Sequence, residues 1–437
     1  VNGRDVDELE GHLRDQIAEL DALGLTADEA FLVAVKRMGD VDTLTREFAR
    51  EHSDRLWKQL VPRNDDEPAP PSNGGFEALA FALAAAVAVQ VARLAAQFPE
   101  EEPGWLLRNA SLFVFPFLAA YFAIRRHFDT RRWVLTAAPF VLAALVVNLY
   151  PFGAGSDTEV FASRISDTEL LVALYLPVVL WFAVAYPYMR GTLRSHERRM
   201  DFVRFTGEWV IYYVLIALGG GVLVLLTVLI LEPIRTDLPQ LVFEWVVPSG
   251  AAGAVIIAAW LVESKQRVVE NMAPVLTMLF TPLFAVMLTV AVATYAVSGV
   301  AGAFDRELLG VFDALLVVVL GLVLYAMSAR EPSLPAALMD RAQLLAIASA
   351  LVLDLMVLGA MVDRIGDLGF TPNRAAALGL NLVLLVNLAG AAWLSMQFLR
   401  GGVTFHRLER WQTSYLPIFA LWAATVVAFL PPLFGFT

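Results

Sequence analysis

There is no cysteine in these 437 residues, which excludes disulfides, thiolate metal sites and cysteine nucleophiles. Histidine is nearly as scarce: His12, His52, His127, His196 and His406 lie scattered, without the HxxxH or HExxH spacing that holds zinc or haem. A Walker A motif, a GxSxG elbow and a Gly-rich loop ahead of a lysine are also missing, so neither an ATP-driven pump nor a serine hydrolase can be assembled. No nucleophile–base pair and no cofactor or metal constellation emerges, and the chain is not expected to be an enzyme. Charge is thin as well. Charged residues make up 17%, against about 25% in soluble domains, and no basic stripe points to direct nucleic-acid binding. No internal repeat marks the two halves of a secondary transporter.

What fills the chain instead is apolar sequence, 58% of all residues. The stretch Thr206–Leu231 carries one acid, Glu208, at its start and no other formal charge. As a helix its 26 residues would run about 39 Å, enough to cross a bilayer core of about 30 Å. Gly219–Gly220–Gly221 sits mid-span, where small residues let a neighbouring helix come close. Eleven such segments are expected, near 76–97, 104–124, 132–150, 168–188, 207–231, 241–262, 273–297, 307–327, 338–362, 373–398 and 413–431. The fold class is therefore all-α: a polytopic α-helical integral membrane protein of about eleven spans, occupying 76–437, whose solvent is the lipid bilayer.

Basic residues orient it. Arg125, Arg126, Arg131, Arg132, Arg190, Arg194, Arg198, Arg199, Arg204, Lys265, Arg267, Arg330, Arg341, Arg400, Arg407 and Arg410 fall on one side, 16 in all. The other side holds seven: Arg93, Arg108, Arg164, Arg235, Arg306, Arg364 and Arg374. The base-rich side is read as cytoplasmic, which places the N-terminus in the cytoplasm and, with an odd number of spans, the C-terminus outside. Arg93 and Arg108 sit near outer ends and can snorkel. Glu208 and Glu263, near cytoplasmic ends, need no role within the membrane. Trp209, Trp245 and Trp260 read as interface belts.

The first 60 residues are of another kind. Residues 1–75 hold 17 acids and 9 bases, a net −8 of the total −11. Val6, Leu9, Leu13, Ile17 and Leu20 recur at helical spacing, Gly24 ends that helix, and Thr26–Glu29 is a capping box for the next. A third helix carries Leu44, Phe48, Leu56 and Leu60. The expectation is a small cytoplasmic three-helix domain over 1–60, with no secretory signal ahead of it, and a flexible linker over 61–75, where proline and charge leave nothing to bury. Glu8–Leu9, His12–Leu13, Gly24, Glu29–Ala30–Phe31 and Gly39–Asp40 carry a resemblance to permease prefix domain 1, and the segment is also similar to the HTH-associated α-helical signalling domain. That resemblance implies a module found beside PadR-like winged-helix regulators, with Asp15, Glu19 and Asp21 as a candidate partner-binding face. Further on, Thr206–Gly207–Glu208–Trp209, Tyr212–Tyr213 and Glu270–Asn271–Met272–Ala273–Pro274 resemble the bacterial multi-pass family of domain of unknown function 4153, which implies an inner-membrane topology.

Polar residues at membrane depth remain for chemistry. Counted from the expected span ends, Asp313 lies about 9 Å, Asp354 about 10 Å and Asn381 about 13 Å below the outer surface, with Thr289 at a similar level. They serve either as glue between helices or as an ion or proton site, because intramembrane acids are costly and face an interior or a wet cavity. The sharper form of the second reading is a shared, outward-facing polar pocket. Two functions follow. One is a membrane-tethered signalling protein whose helical domain binds a regulator, such as a PadR-like protein, in response to an envelope or lipid state. The other is a permease for an ion, lipid or small solute with a regulatory prefix.

Overall fold

The computed structural model describes residues 74–95, 103–152, 165–231, 238–264, 272–298, 306–330, 332 and 334–436. The prefix segment 1–60 and its candidate face Asp15, Glu19 and Asp21 lie outside these residues. All regular structure described is helical: α1 Gly74–Ala95, α2 Pro103–Asn109, α3 Phe115–Arg125, α4 Thr130–Leu149, α5 Asp167–Tyr188, α6 His196–Leu231, α7 Leu238–Leu241, α8 Val247–Ser264, α9 Met272–Ser298, α10 Arg306–Ala329, α11 Leu338–Leu368, α12 Pro372–Leu399, α13 Phe405–Ala428 and α14 Leu430–Leu433. Among the described residues, ten helical stretches are long and apolar enough to cross a membrane. This is a multi-pass membrane protein.

The eleventh expected segment forms α13, whose first turns carry His406, Arg407, Glu409 and Arg410 and dilute its hydropathy. It nonetheless runs the full height of the bundle. Near its start, Thr413 bonds His196 Nδ1 at 2.8 Å and Arg199 donates to its carbonyl, so this end lies at the beginning of α6. At its far end the Ala428 carbonyl accepts from Tyr150 at 2.6 Å, just past the end of α4. The start of α4 meets the end of α5 through the Phe128–Tyr186 ring contact, and the end of α5 is tied to α6 by Arg198 donating to the Met189 carbonyl. The two ends of α13 therefore face opposite surfaces.

Two cores form. One joins α1, α3, α4, α5, α6 and α8 around Tyr121, Phe122, Leu176 and Ile256; the other joins α9 to α13 around Leu288, Leu316, Ile347 and Leu388. Helices α5, α12, α13 and α14 share a third, smaller cluster, Leu171, Ala375, Ala376, Val426 and Leu430, that stitches the halves together. Proline explains one departure from expectation. The second span is not one helix, because Pro116 at the start of α3 lacks an N–H, and the chain passes through a 3₁₀ turn at Ala110–Phe113. Pro139, Pro177, Pro282 and Pro417 stay inside helices, where neighbouring helices compensate the lost bond.

Several surface expectations are corrected by packing. No atom lies within 4 Å of where a Cβ would stand at Gly219, Gly220 or Gly221. Small residues permit close approach but do not oblige it, and this half of α6 shows Leu218, Val222, Leu223 and Leu225 to the surroundings. The close approaches occur elsewhere. A Cβ at Gly379 would overlap the Trp422 ring and one at Gly390 the Trp411 ring, so two indoles of α13 lie on the backbone of α12. Trp209 is no interface anchor: it packs on Trp181 with centroids 4.4 Å apart and donates to the Val255 carbonyl. Trp260 packs against the first core, and Trp245 carries the Arg93 guanidinium over its ring at 4.6 Å.

Gly379→Val is expected to cost about 1–3 kcal/mol through overpacking against Trp422, whereas Gly220→Ala meets open space and is expected to be neutral or slightly stabilising. Thermal unfolding of the two variants in detergent, followed by tryptophan fluorescence, distinguishes them; equal midpoints would contradict this packing.

Candidate functional site

Inside a bilayer, hydroxyls and amides must find partners within the protein, and most here do. Thr136, Thr206, Thr227, Thr294 and Thr425 each donate to the carbonyl four residues earlier, satisfying the hydroxyl within its own helix. The fully buried Asn387 donates to Gln412 Oε1 at 2.9 Å. Arg108 does not snorkel as its position suggested. It is buried against Glu169 of α5 as an ion pair and lies over the Phe152 ring. Arg93 pairs with Glu244 at 3.1 Å. At the base-rich end Glu263 takes both Arg125 at 3.2 Å and Arg126 at 2.9 Å. Asp340 receives a two-pronged bond from Arg330, at 2.8 and 3.2 Å, and also accepts from the Ala337 amide at the start of α11.

Against this background α10, α11 and α12 bring together acceptors that are not satisfied. On α11 the buried stripe Ile347, Ala350, Leu353, Val357 and Ala360 is interrupted by Asp354, which has no exposed surface. On α12 the stripe Leu384, Leu388 and Ala391 is continued by Asn381, also without exposed surface. Asp313 sits beside Phe312 and Leu316 on α10 and is partly buried. Asn381 Nδ2 donates to Asp313 Oδ1 at 2.8 Å, and the Asp313 charge acts on Asp354. Neither oxygen of Asp354 has a hydrogen-bond partner, nor does Asn381 Oδ1. The Tyr175 hydroxyl of α5 also feels Asp313, and the Trp422 indole approaches it without completing a bond.

Of the four residues singled out in the sequence, three therefore come together: Asp313, Asp354 and Asn381. Thr289 does not join them. It donates to its own helix at Ala285 and meets Ser349 of α11 at 3.0 Å, more than a turn before Asp354. Nor is the cluster an outward-facing pocket, because Asp354 and Asn381 are enclosed and only Asp313 reaches the surface. Tyr175 was not picked out, since nothing in its own helix marks it until α5 and α10 are brought together.

The chemistry left over is one-sided. Two carboxyl groups and an amide oxygen supply acceptors, and no guanidinium or ammonium of the described residues bonds to them. An isolated charge in such surroundings is costly. The arrangement can hold a proton or a small cation, which would supply the missing positive charge. Among the described residues no group of three or more His, Cys, Asp or Glu is placed to hold a metal ion, so any cation here has to be held with amide help.

Models of known families, curated proteins and solved structures give no match to this chain, and its function has to be read from its own residues.

An unpartnered buried acid adds nothing to stability. Asp354→Leu is expected to leave the thermal midpoint unchanged or raise it, while Arg108→Met, which strands Glu169, should lower stability by about 3–5 kcal/mol. A large loss of stability in Asp354→Leu would show that the carboxyl is a structural group.

Proposed function

We propose that this chain is an ion-coupled permease, in which α10, α11 and α12 hold a proton or a monovalent cation at Asp313, Asp354 and Asn381. One observation carries the reading: a fully buried carboxyl group, Asp354, with neither oxygen bonded, in the field of a second carboxyl. Stability alone does not favour such a group, because a buried acid can usually be replaced by an apolar residue without loss. Asp313, the partly exposed member, is the entrance, and Asn381 is the switch. Its amide nitrogen now holds Asp313, and its unused oxygen can turn to a cation bound between the two acids. The cargo class is an ion, lipid or small solute.

The signalling reading stands second. It is favoured by the acidity and family resemblance of residues 1–60, and it makes that segment the cytoplasmic part that binds a PadR-like or similar regulator. The two readings are compatible if the segment reports the state of the membrane site. In this proposal the chain lies in a bacterial inner membrane with its N-terminus in the cytoplasm and its C-terminus outside. A reporter enzyme fused after Thr437 that works only outside the cytoplasm should then be active, and an inactive fusion would mean an even number of spans.

The site itself is tested with a lipid-soluble carbodiimide, which modifies protonated carboxyl groups. Mass spectrometry of the labelled chain should find the adduct on Asp354 or Asp313, falling as pH rises or as sodium is added. Absence of label, or labelling indifferent to both, would overturn the cation site and leave the signalling reading.

A further inference from the structure

The 36 residues of α6 make it about 54 Å long, well beyond a bilayer core, and the surplus lies at its start. Its first turns project past the apolar part of the helix on the base-rich side and carry Arg198, Asp201, Arg204 and Glu208 on successive turns. Together with the end of α5 and the end of α8 they border an open cavity of about 380 Å³. Arg126, Arg190, Arg198 and Arg204 line it together with Asp201, Glu208 and Glu263, and Phe205 and Val262 are among its apolar lining. The volume is that of a small-molecule site.

The charges in this cavity are unevenly committed. Glu263 is already engaged by Arg125 and Arg126. Arg198 donates to the Met189 carbonyl at 2.9 Å, and Arg204 grips the Ser328 carbonyl with Nε and Nη2. Both guanidinium groups are thus held in place through neutral acceptors, which orients them without cancelling their charge. Asp201 lies within the field of both and is the carboxylate an incoming anion has to meet. Arg190 is presented from a turn in which it takes a φ of +55° and Gly191 one of +79°, a left-handed backbone that is rare for a non-glycine residue. Four guanidinium groups against three carboxylates leave the lining one positive charge in excess.

We propose that this cavity binds a phosphate group carrying one negative charge, a phosphodiester, with its non-bridging oxygens between Arg198 and Arg204. The guanidinium fork suits two oxygens of one phosphate, and one negative charge neutralises the lining. The apolar lining of Phe205 and Val262 accepts the ester carbons. Such a group reaches this place either as the headgroup of a phospholipid in the base-rich leaflet or as a soluble diester. The site is separate from the Asp313–Asp354 cluster, and neither proposal needs the other.

The full-length chain is tested in nanodiscs of phosphatidylcholine with and without phosphatidylglycerol, followed by native mass spectrometry of the released protein. One retained phosphatidylglycerol per chain is expected, reduced about tenfold or more in Arg198→Gln/Arg204→Gln, since glutamine still donates to the two carbonyls but carries no charge. Arg194→Gln removes an exposed charge from the same face outside the cavity and should leave retention unchanged. Glycerophosphoglycerol added at millimolar concentration separates the sources: competition identifies a soluble diester site, and lack of competition a lipid site. A thermal midpoint unchanged in Arg198→Gln/Arg204→Gln guards against mere unfolding; if that variant unfolds, Arg198→Lys/Arg204→Lys, which keeps the charge and loses the fork, should still weaken retention. Equal retention in the folded double variant and the parent, or equal loss in Arg194→Gln, would overturn the proposal.

Discussion

Satisfying polar groups without water is the constraint on which this structure depends. In the bilayer core an unpaired donor or acceptor has no solvent to turn to, and the bundle answers that demand in a hierarchy. Threonine hydroxyls are absorbed by their own helices. Amides pair across helices, as Asn387 does with Gln412. Arginines near helix ends are matched to acids, as in Arg108–Glu169 and Arg126–Glu263. Helices α12 and α13 approach closely enough to make such bonds because Trp411 and Trp422 lie directly on Gly390 and Gly379. A few buried polar atoms of the described residues are left over, and among them Asp354 stands out as a carboxyl group with both oxygens unbonded.

The two halves of the bundle divide the work accordingly. The first core is rich in aromatic stacking, with Phe122, Trp181, Tyr188, Phe202 and Phe205 in one contiguous cluster, and ion pairs close its ends. It is built to be rigid. The second core is mainly aliphatic and carries the enclosed Asp354 beside the partly exposed Asp313. Between them α13 contacts both α5 and α12, and α6 meets α10 directly, with Arg204 on the Ser328 carbonyl, so the halves are joined along more than one seam.

Much of this architecture was legible in the sequence because hydropathy acts over a whole helix. The order and approximate ends of the helices follow from it. Pairing was not legible. Arg108 looked like a snorkelling residue because its partner, Glu169, lies 61 positions away. Glu208 and Glu263 looked idle because the cavity they line is assembled from α3, α5, α6 and α8. Thr289 instead meets Ser349, because the direction in which it faces depends on helix rotation. The Gly219–Gly221 triplet gave a permissive signal that no neighbour within the described residues takes up. Depth is a property of one helix, while facing is a property of two.

The proposed cation site requires the carboxyl groups of α10 and α11 to lie within reach of one another. The absence of cysteine makes this directly measurable, since any introduced pair reports without background. Asp313→Cys/Asp354→Cys, treated in membranes with a short bifunctional methanethiosulfonate, should cross-link α10 to α11. Proteolytic fragments from the two sides of the 330–338 loop would then migrate together. Thr289→Cys/Ser349→Cys serves as the positive control for a neighbouring pair. A cross-link in the control with none between positions 313 and 354 would contradict the account.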